Sequence, residues 1–142
     1  MTRPREVKIL LVEDDEVDVM RVQRGFHQLR IANEIVRARD GIEALEILRG
    51  AGSRARIETP YLVLLDINLP RMTGLEFLAA LRADEELKVT VVFVLTTSKN
   101  DEDRIEAYRH NVAGFMLKDE AGREFVKAME MLECYWRVVE LP

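Results

Sequence analysis

Five short apolar runs punctuate the chain, and the stretches between them carry apolar residues at helical spacing. The run Tyr61, Leu62, Val63, Leu64, Leu65 has no polar position within it. Such a run suits a strand covered on both faces, as in the middle of a parallel sheet. It stops at Asp66, and Pro70 bars any continuation as a central strand. Similar runs at 7–12, 34–38, 89–95 and 114–117 predict four more strands. Val19, Val22, Phe26 and Leu29 recur every three or four residues, which predicts an amphipathic helix ending near Arg30. The acidic residues at its start suit the positive end of the helix dipole. After the turn at Asp40 and Gly41, a second helix carries Ile42, Leu45 and Leu48 on one face, and a third carries Leu75, Leu78 and Leu81. Residues 100–108 predict a polar helix anchored by Ile105 and Tyr108, and a last helix spans about 122–138. Residues 50–60 read as a loop.

Strands alternating with helices in this way define an α/β fold, a parallel sheet with helices on both faces. Right-handed crossovers bring the C-terminal end of every strand to one edge of the sheet. Glu13, Asp14, Asp66, Thr96 and Lys118 each follow a strand or end one, so all are expected on a single rim. Open α/β sheets place their ligands along that rim. A length of 142 residues fits one domain, and neither a repeat nor a low-complexity stretch divides it.

Composition narrows the partners. The apolar fraction is 48% and the charged fraction 33%, ordinary values for a globular chain. A net charge of −5 and a pI near 5.2 lack the basic character of a duplex-binding surface, so no nucleic acid is expected. Cys134 stands alone, which excludes an intrachain disulfide and a cysteine-based zinc site. Arg3, Arg5, Glu6 and Lys8 lead directly into the first strand with no signal-peptide pattern, and no apolar run is long enough to cross a bilayer. The expectation is a cytoplasmic protein without a membrane partner.

The rim residues carry the candidate chemistry. Clustered carboxylates repel one another and either raise a pKa or recruit a cation. An all-oxygen cluster prefers a hard ion, and one that retains waters beside a phosphate points to Mg²⁺. Lys118 offers a point charge for a phosphate oxygen, and Thr96 offers a hydroxyl. That set fits phosphoryl transfer, with Asp66 as a nucleophile able to form an aspartyl phosphate. Singly, each residue has a plainer explanation: helix-start acids, a turn hydroxyl, a solvated lysine. Their joint placement on the correct strand tips is what carries the functional reading. His27 and His110 have no ligand partner at a useful spacing, Cys134 reads as a packing or surface residue, and the six methionines are scattered.

These residues resemble the receiver domain of two-component response regulators over nearly the whole chain. The acidic pair is Glu13-Asp14, the phosphoacceptor pattern runs from Asp66 through Pro70 to Gly74, the switch hydroxyl is Thr96 followed by Thr97, and Phe115 stands three residues before Lys118. The resemblance implies a flavodoxin-like, doubly wound five-stranded sheet of order 2-1-3-4-5 with five helices. It implies that Asp66 accepts a phosphoryl group from a sensor histidine kinase. Mg²⁺ would be held by Asp14, Asp66 and the backbone carbonyl of Asn68, with Glu13 reaching it through water. Lys118 and Thr96 would hold the phosphate oxygens. Thr96 and Phe115 would then shift the surface of the fourth helix, fifth strand and fifth helix. Such a protein is a signalling phosphoacceptor, not an enzyme. Two departures stand out: Asp119 occupies the position that is often a cis-proline, and no output domain is expected after Pro142. A single receiver domain over 1–142, extended at about 135–142, is therefore expected. The loop at 50–60, the residues Leu95 to Ser98, Asp119, and the ending Tyr135-Trp136…Leu141-Pro142 resemble the single-domain regulators paired with bacterial and cyanobacterial phytochromes.

Two other function classes compete. A haloacid-dehalogenase-type phosphatase also uses a strand-tip aspartate and Mg²⁺, but it places the nucleophile after the first strand with a second aspartate two residues on. Here the candidate follows the third strand and the residue two on is Asn68. A purely structural interaction module would not need the full acidic, hydroxyl and lysine set. Finally, the last helix has one apolar stripe at Phe125, Met129, Leu132 and Trp136 and a second at Ala128, Met131, Tyr135 and Val138. One docked face needs a stripe of only about 100°. The surplus, including Met131, Tyr135 and Val138, leads to the expectation of a homodimer.

Overall fold

A computed structural model describes residues 6–118 and 123–142. Asp119, where the family's cis-proline would stand, lies outside the described residues. Five strands, β1 (Lys8–Val12), β2 (Ile35–Ala38), β3 (Tyr61–Leu65), β4 (Val92–Thr96) and β5 (Gly114–Leu117), alternate with five helices. The helices are α1 (Glu16–Gln28), α2 (Gly41–Arg49), α3 (Gly74–Ala83), α4 (Asp101–Arg109) and α5 (Arg123–Val138). All strands pair in parallel in the order β2-β1-β3-β4-β5, as the resemblance implied.

Successive side chains of a strand point to opposite faces, and this alternation builds two cores. Leu10, Val12, Val63, Leu65, Val92 and Val94 pack with α2, α3 and Ala107 of α4. Ile9, Leu11, Leu62, Leu64, Phe93 and Leu95 pack with α1 and α5, where Phe125, Met129, Leu132 and Trp136 form the buried stripe. Each fully buried large side chain, Phe77 or Leu81 for example, contributes about 1.5–3 kcal/mol of transfer free energy. Helix starts are fixed at the rim by side-chain caps. Asp15 accepts from the N–H groups of Val17 and Asp18, Asp40 from Glu43, Asn100 from Glu102, and Thr73 forms a reciprocal capping box with Glu76. These caps confine the strand-to-helix turns to the edge where the polar residues gather.

The structure corrects three details. β4 begins at Val92, not Val89. The Lys88 N–H donates to the Asp84 carbonyl at 2.9 Å and the Thr90 N–H to that of Leu87 at 3.0 Å, so this segment turns instead of extending. The apolar anchor of α4 is Ala107, fully buried, whereas Ile105 and Tyr108 are about half exposed. The helix sits close to its neighbours through a small side chain and turns its larger apolar ones outward. On α2, Ile42 lies at the margin of exposure, and Ala44, Leu45, Ile47 and Leu48 do the packing. His27 and Cys134 are exposed, and His110 lies 3.3 Å from Glu106 on its own helix turn. Among the described residues no helix is long and apolar enough to cross a membrane.

Candidate phosphoacceptor site

Backbone pairing delivers the rim residues. The Glu13 N–H donates to the Ala38 carbonyl at 2.9 Å and the Asp66 N–H to that of Val12 at 3.0 Å. The Lys118 N–H donates to the Thr96 carbonyl at 2.7 Å. These bonds carry the sheet's register one residue past the strands and set Glu13, Asp66 and Lys118 at its C-terminal edge, beside Thr96. All four side chains are buried. Burying polar groups costs several kcal/mol unless they find partners; here Glu13, Asp66 and Lys118 find one another, and Thr96 accepts from the Ser98 N–H.

Lys118 is the hub. Its ammonium donates to Asp66 Oδ2 at 3.0 Å, to Asp18 Oδ2 at 2.9 Å and to Glu13 Oε1. The other oxygen of Asp66, Oδ1, accepts from the Asn68 N–H at 3.1 Å, and Glu13 Oε2 accepts from the Asp15 N–H at 3.3 Å. Burial pushes the Glu13 carboxyl up to about 8, assisted by the charge of Asp66 and opposed by Lys118. For Lys118 burial acts downward, but the hydrogen bonds to Glu13 and Asp18 and the charges of Glu13 and Asp66 outweigh it and raise the pKa.

Oxygens of Glu13, Asp18 and Asp66 lie within 4.8 Å of one another. Three hard carboxyl oxygen donors, with exposed Asn68 beside them, fit a divalent ion that prefers oxygen. Asp18 was absent from the residues that the sequence pointed to. Its only signal was an acid on the first turn of α1, one helical turn past Asp14, which reads equally well as a favourable helix-dipole charge. Asp14 is exposed and lies outside that three-oxygen group, although its carbonyl is held by Arg37 Nη2 at 3.0 Å.

The remaining expected residues fall nearby. The Thr96 hydroxyl, fully buried, accepts from the Ser98 N–H at 3.2 Å and donates to no side chain among the described residues. Phe115 is half-buried, opposite Val94 in the β4–β5 register. Two contacts hold the loop after β3. A Cβ at Gly74 would stand 2.5 Å from the Asp66 carbonyl oxygen and 2.6 Å from Ile67 Cα, so only glycine lets α3 start this close to the Asp66 backbone. Arg71 donates from Nε (2.8 Å) and Nη2 (2.5 Å) to buried Asp40, tying this loop to the one before α2.

Comparison with known proteins agrees with this fold. The model of the response regulator receiver domain matches residues 9–130. The chain is 36% identical over 135 residues to the response regulator Rcp1 of Synechocystis sp., covering 94% of this chain and 92% of that one. The Mn²⁺-bound form of Rcp1 superposes with a TM-score of 0.83, at 36% identity, over 97% of this chain and 99% of that one. The phosphorylated cyanobacterial phytochrome response regulator RcpA does so with a TM-score of 0.87, at 34% identity, over 97% and 99%. The bacteriophytochrome response regulator AtBRR follows at 0.77 and 34%, over 96% and 99%. The chain belongs to the response regulator receiver family: it is a two-component signalling protein, and its acidic cluster is of the kind with which receivers bind a divalent metal.

Proposed function

We propose that Asp66 is the phosphoacceptor of this receiver and that a sensor histidine kinase, of the phytochrome class, is its donor. The observation that carries the reading is the buried bond from the Lys118 ammonium to Asp66 Oδ2, made at the C-terminal tip of the central strand. In the transfer, an Asp66 oxygen forms a bond to phosphorus while the bond from phosphorus to the kinase imidazole nitrogen breaks, and the imidazole leaves with the electron pair. The Asn68 N–H orients the carboxylate. Lys118, already beside Asp66, offers positive charge to the phosphoryl oxygens, and the Thr96 hydroxyl can donate to one of them. Mg²⁺ is the proposed ion, with Asp66, Asp14 and the Asn68 carbonyl as ligands, Glu13 acting through water, and Asp18 added to the acidic set by the geometry. When bound, the ion neutralises the charge that develops on the phosphoryl group.

Movement of Thr96 toward the new phosphate, with Phe115 following, would alter the face made by α4, β5 and α5. The phytochrome class is supported by the likeness to RcpA and AtBRR. A single receiver unit acting in the cytoplasm and associating as a homodimer completes the proposal. Incubation with acetyl phosphate and Mg²⁺ tests its centre: the intact mass should rise by one phosphoryl group, and Asp66→Asn should show no rise. A wild type that gains no mass would favour a receiver used as a structural module.

A further inference from the structure

Arg37, on β2, lies outside every motif that defined the site, yet its guanidinium closes on the loop that leaves β1. Nε donates to the Glu13 carbonyl at 2.9 Å, Nη2 to the Asp14 carbonyl at 3.0 Å, and Nη1 to Glu16 Oε1 at 2.7 Å. The side chain is only 19% exposed, so these bonds are partly shielded from water. Its own strand is fixed, since Arg37 pairs with Leu11 in the sheet and its carbonyl accepts from Arg54 Nη2 at 3.3 Å.

We propose that Arg37 is a positioning residue for the divalent-ion site, holding the two consecutive carbonyls whose peptide planes set where the Glu13 and Asp14 side chains stand. The inference rests on the reading of this rim as a metal and phosphoryl site. Past the end of β1, the carbonyls of Glu13 and Asp14 take no backbone N–H partner among the described residues. If they rotated toward water, the Glu13 carboxylate would swing relative to Asp66. A planar fork with donors on several nitrogens can hold two adjacent carbonyls together, which the point charge of a lysine cannot. Outer groups of this kind orient metal ligands without touching the metal.

Charge alone predicts the opposite sign. A guanidinium close to a cation site repels the cation, so removing it would tighten metal binding by simple Coulomb attraction to the acids left behind. Positioning predicts that the same removal loosens it.

Mn²⁺ titration of the purified chain, followed through the electron paramagnetic resonance signal of free Mn²⁺, separates the two. Arg37→Ala and the charge-preserving Arg37→Lys should both bind Mn²⁺ about tenfold or more weakly than wild type. Glu16→Ala, which removes only the exposed end of the contact, should bind close to wild type. In acetyl phosphate reactions the Mg²⁺ concentration for half-maximal rate should rise in Arg37→Ala while the rate at saturation returns to the wild-type value. Binding by Arg37→Ala that equals or exceeds wild type overturns the role of Arg37 and leaves the site reading intact. A saturated rate that stays low with an unchanged half-maximal Mg²⁺ overturns it also, since that is the mark of general structural damage. A wild type that binds no Mn²⁺ overturns the metal reading itself, and this role with it.

Discussion

At the scale of single residues, the site is a problem in burying charge, and each partner is legible to a different degree. Glu13, Asp66 and Lys118 could be read from the sequence because each stands at the end of an apolar run, where the chain must turn polar. Asp18 and Arg37 could not. Asp18 is separated from the run by a turn of helix, and Arg37 sits inside the second strand, where its charge carries no sign of a partner on another loop. Asp40 is a third such residue. It is buried, its carboxylate accepts from the Glu43 N–H and twice from Arg71, and Arg71 itself is largely exposed. Burial pushes the Asp40 carboxyl up, but the Glu43 N–H and the Arg71 guanidinium outweigh it and hold the pKa below the ordinary value. A folded-state pKa below the unfolded one contributes stability above the unfolded value, and that contribution is lost as pH falls through the folded value. Asp40→Asn should therefore lower stability near neutral pH by about 1.5 kcal/mol, at the low end for a charged hydrogen bond because Arg71 is solvated. The gap between the two proteins in urea unfolding should close as pH falls below about 4, the ordinary range for aspartate. A gap that stays constant from pH 7 to pH 3 would show that the charge of Asp40 does not contribute.

At the scale of elements, periodicity predicted every strand and helix, because an apolar run in a parallel sheet and a three-and-four spacing in a helix are demands of burial itself. The errors fell where local hydrogen bonding overrode apolar character. Val89 belongs to the apolar run but is 59% exposed, since Arg82 donates to the carbonyls of Lys88 and Thr90 and holds the turn before β4. On α4 the large apolar residues suggested the buried face, yet the close approach of the helix is made by Ala107. The junction of β3 with α3 shows why the loop that follows Asp66 ends in glycine. The Gly74 N–H donates to the Ile67 carbonyl at 2.9 Å, so the helix start is pinned against the backbone it would strike with a side chain. Gly74→Ala should cost about 1–3 kcal/mol, the usual penalty of overpacking, because the obstacle is backbone and not a flexible side chain. The relief available is a shift of the loop that carries Asp66, so phosphorylation by acetyl phosphate should slow in step with the loss in urea midpoint. Wild-type stability together with wild-type labelling would mean that the loop absorbs the methyl freely.

At the scale of the whole molecule, two faces of the sheet are covered, yet several apolar side chains remain outside both cores. Leu117 of β5, Ile105 and Tyr108 of α4, and Met131 and Val138 of α5 are each 40% exposed or more, Val138 reaching 77%. Part of the surplus on α5 does close on the protein itself. The Tyr135 ring meets Phe93 edge-on with centroids 4.8 Å apart, and Leu141 of the tail packs against the same core. Tyr135 is thus half committed to its own sheet, and Met131 and Val138 carry the expected interface. Methionine is enriched where partners meet, and a stable pair needs about 800 Å² buried on each side. That area calls for the neighbouring elements of the α4–β5–α5 face as well as the helix end. Val138→Glu tests the contact more cleanly than a change at Tyr135, because a charge beside Phe93 would disturb the fold of each monomer. Light scattering of the wild-type chain should report a dimer, and Val138→Glu should shift it toward monomer with an unchanged urea midpoint at low protein concentration. Met131→Glu should act in the same direction. A wild-type chain that remains monomeric at high concentration, with and without phosphorylation, removes this face as a self-association surface and leaves its apolar residues for a different protein.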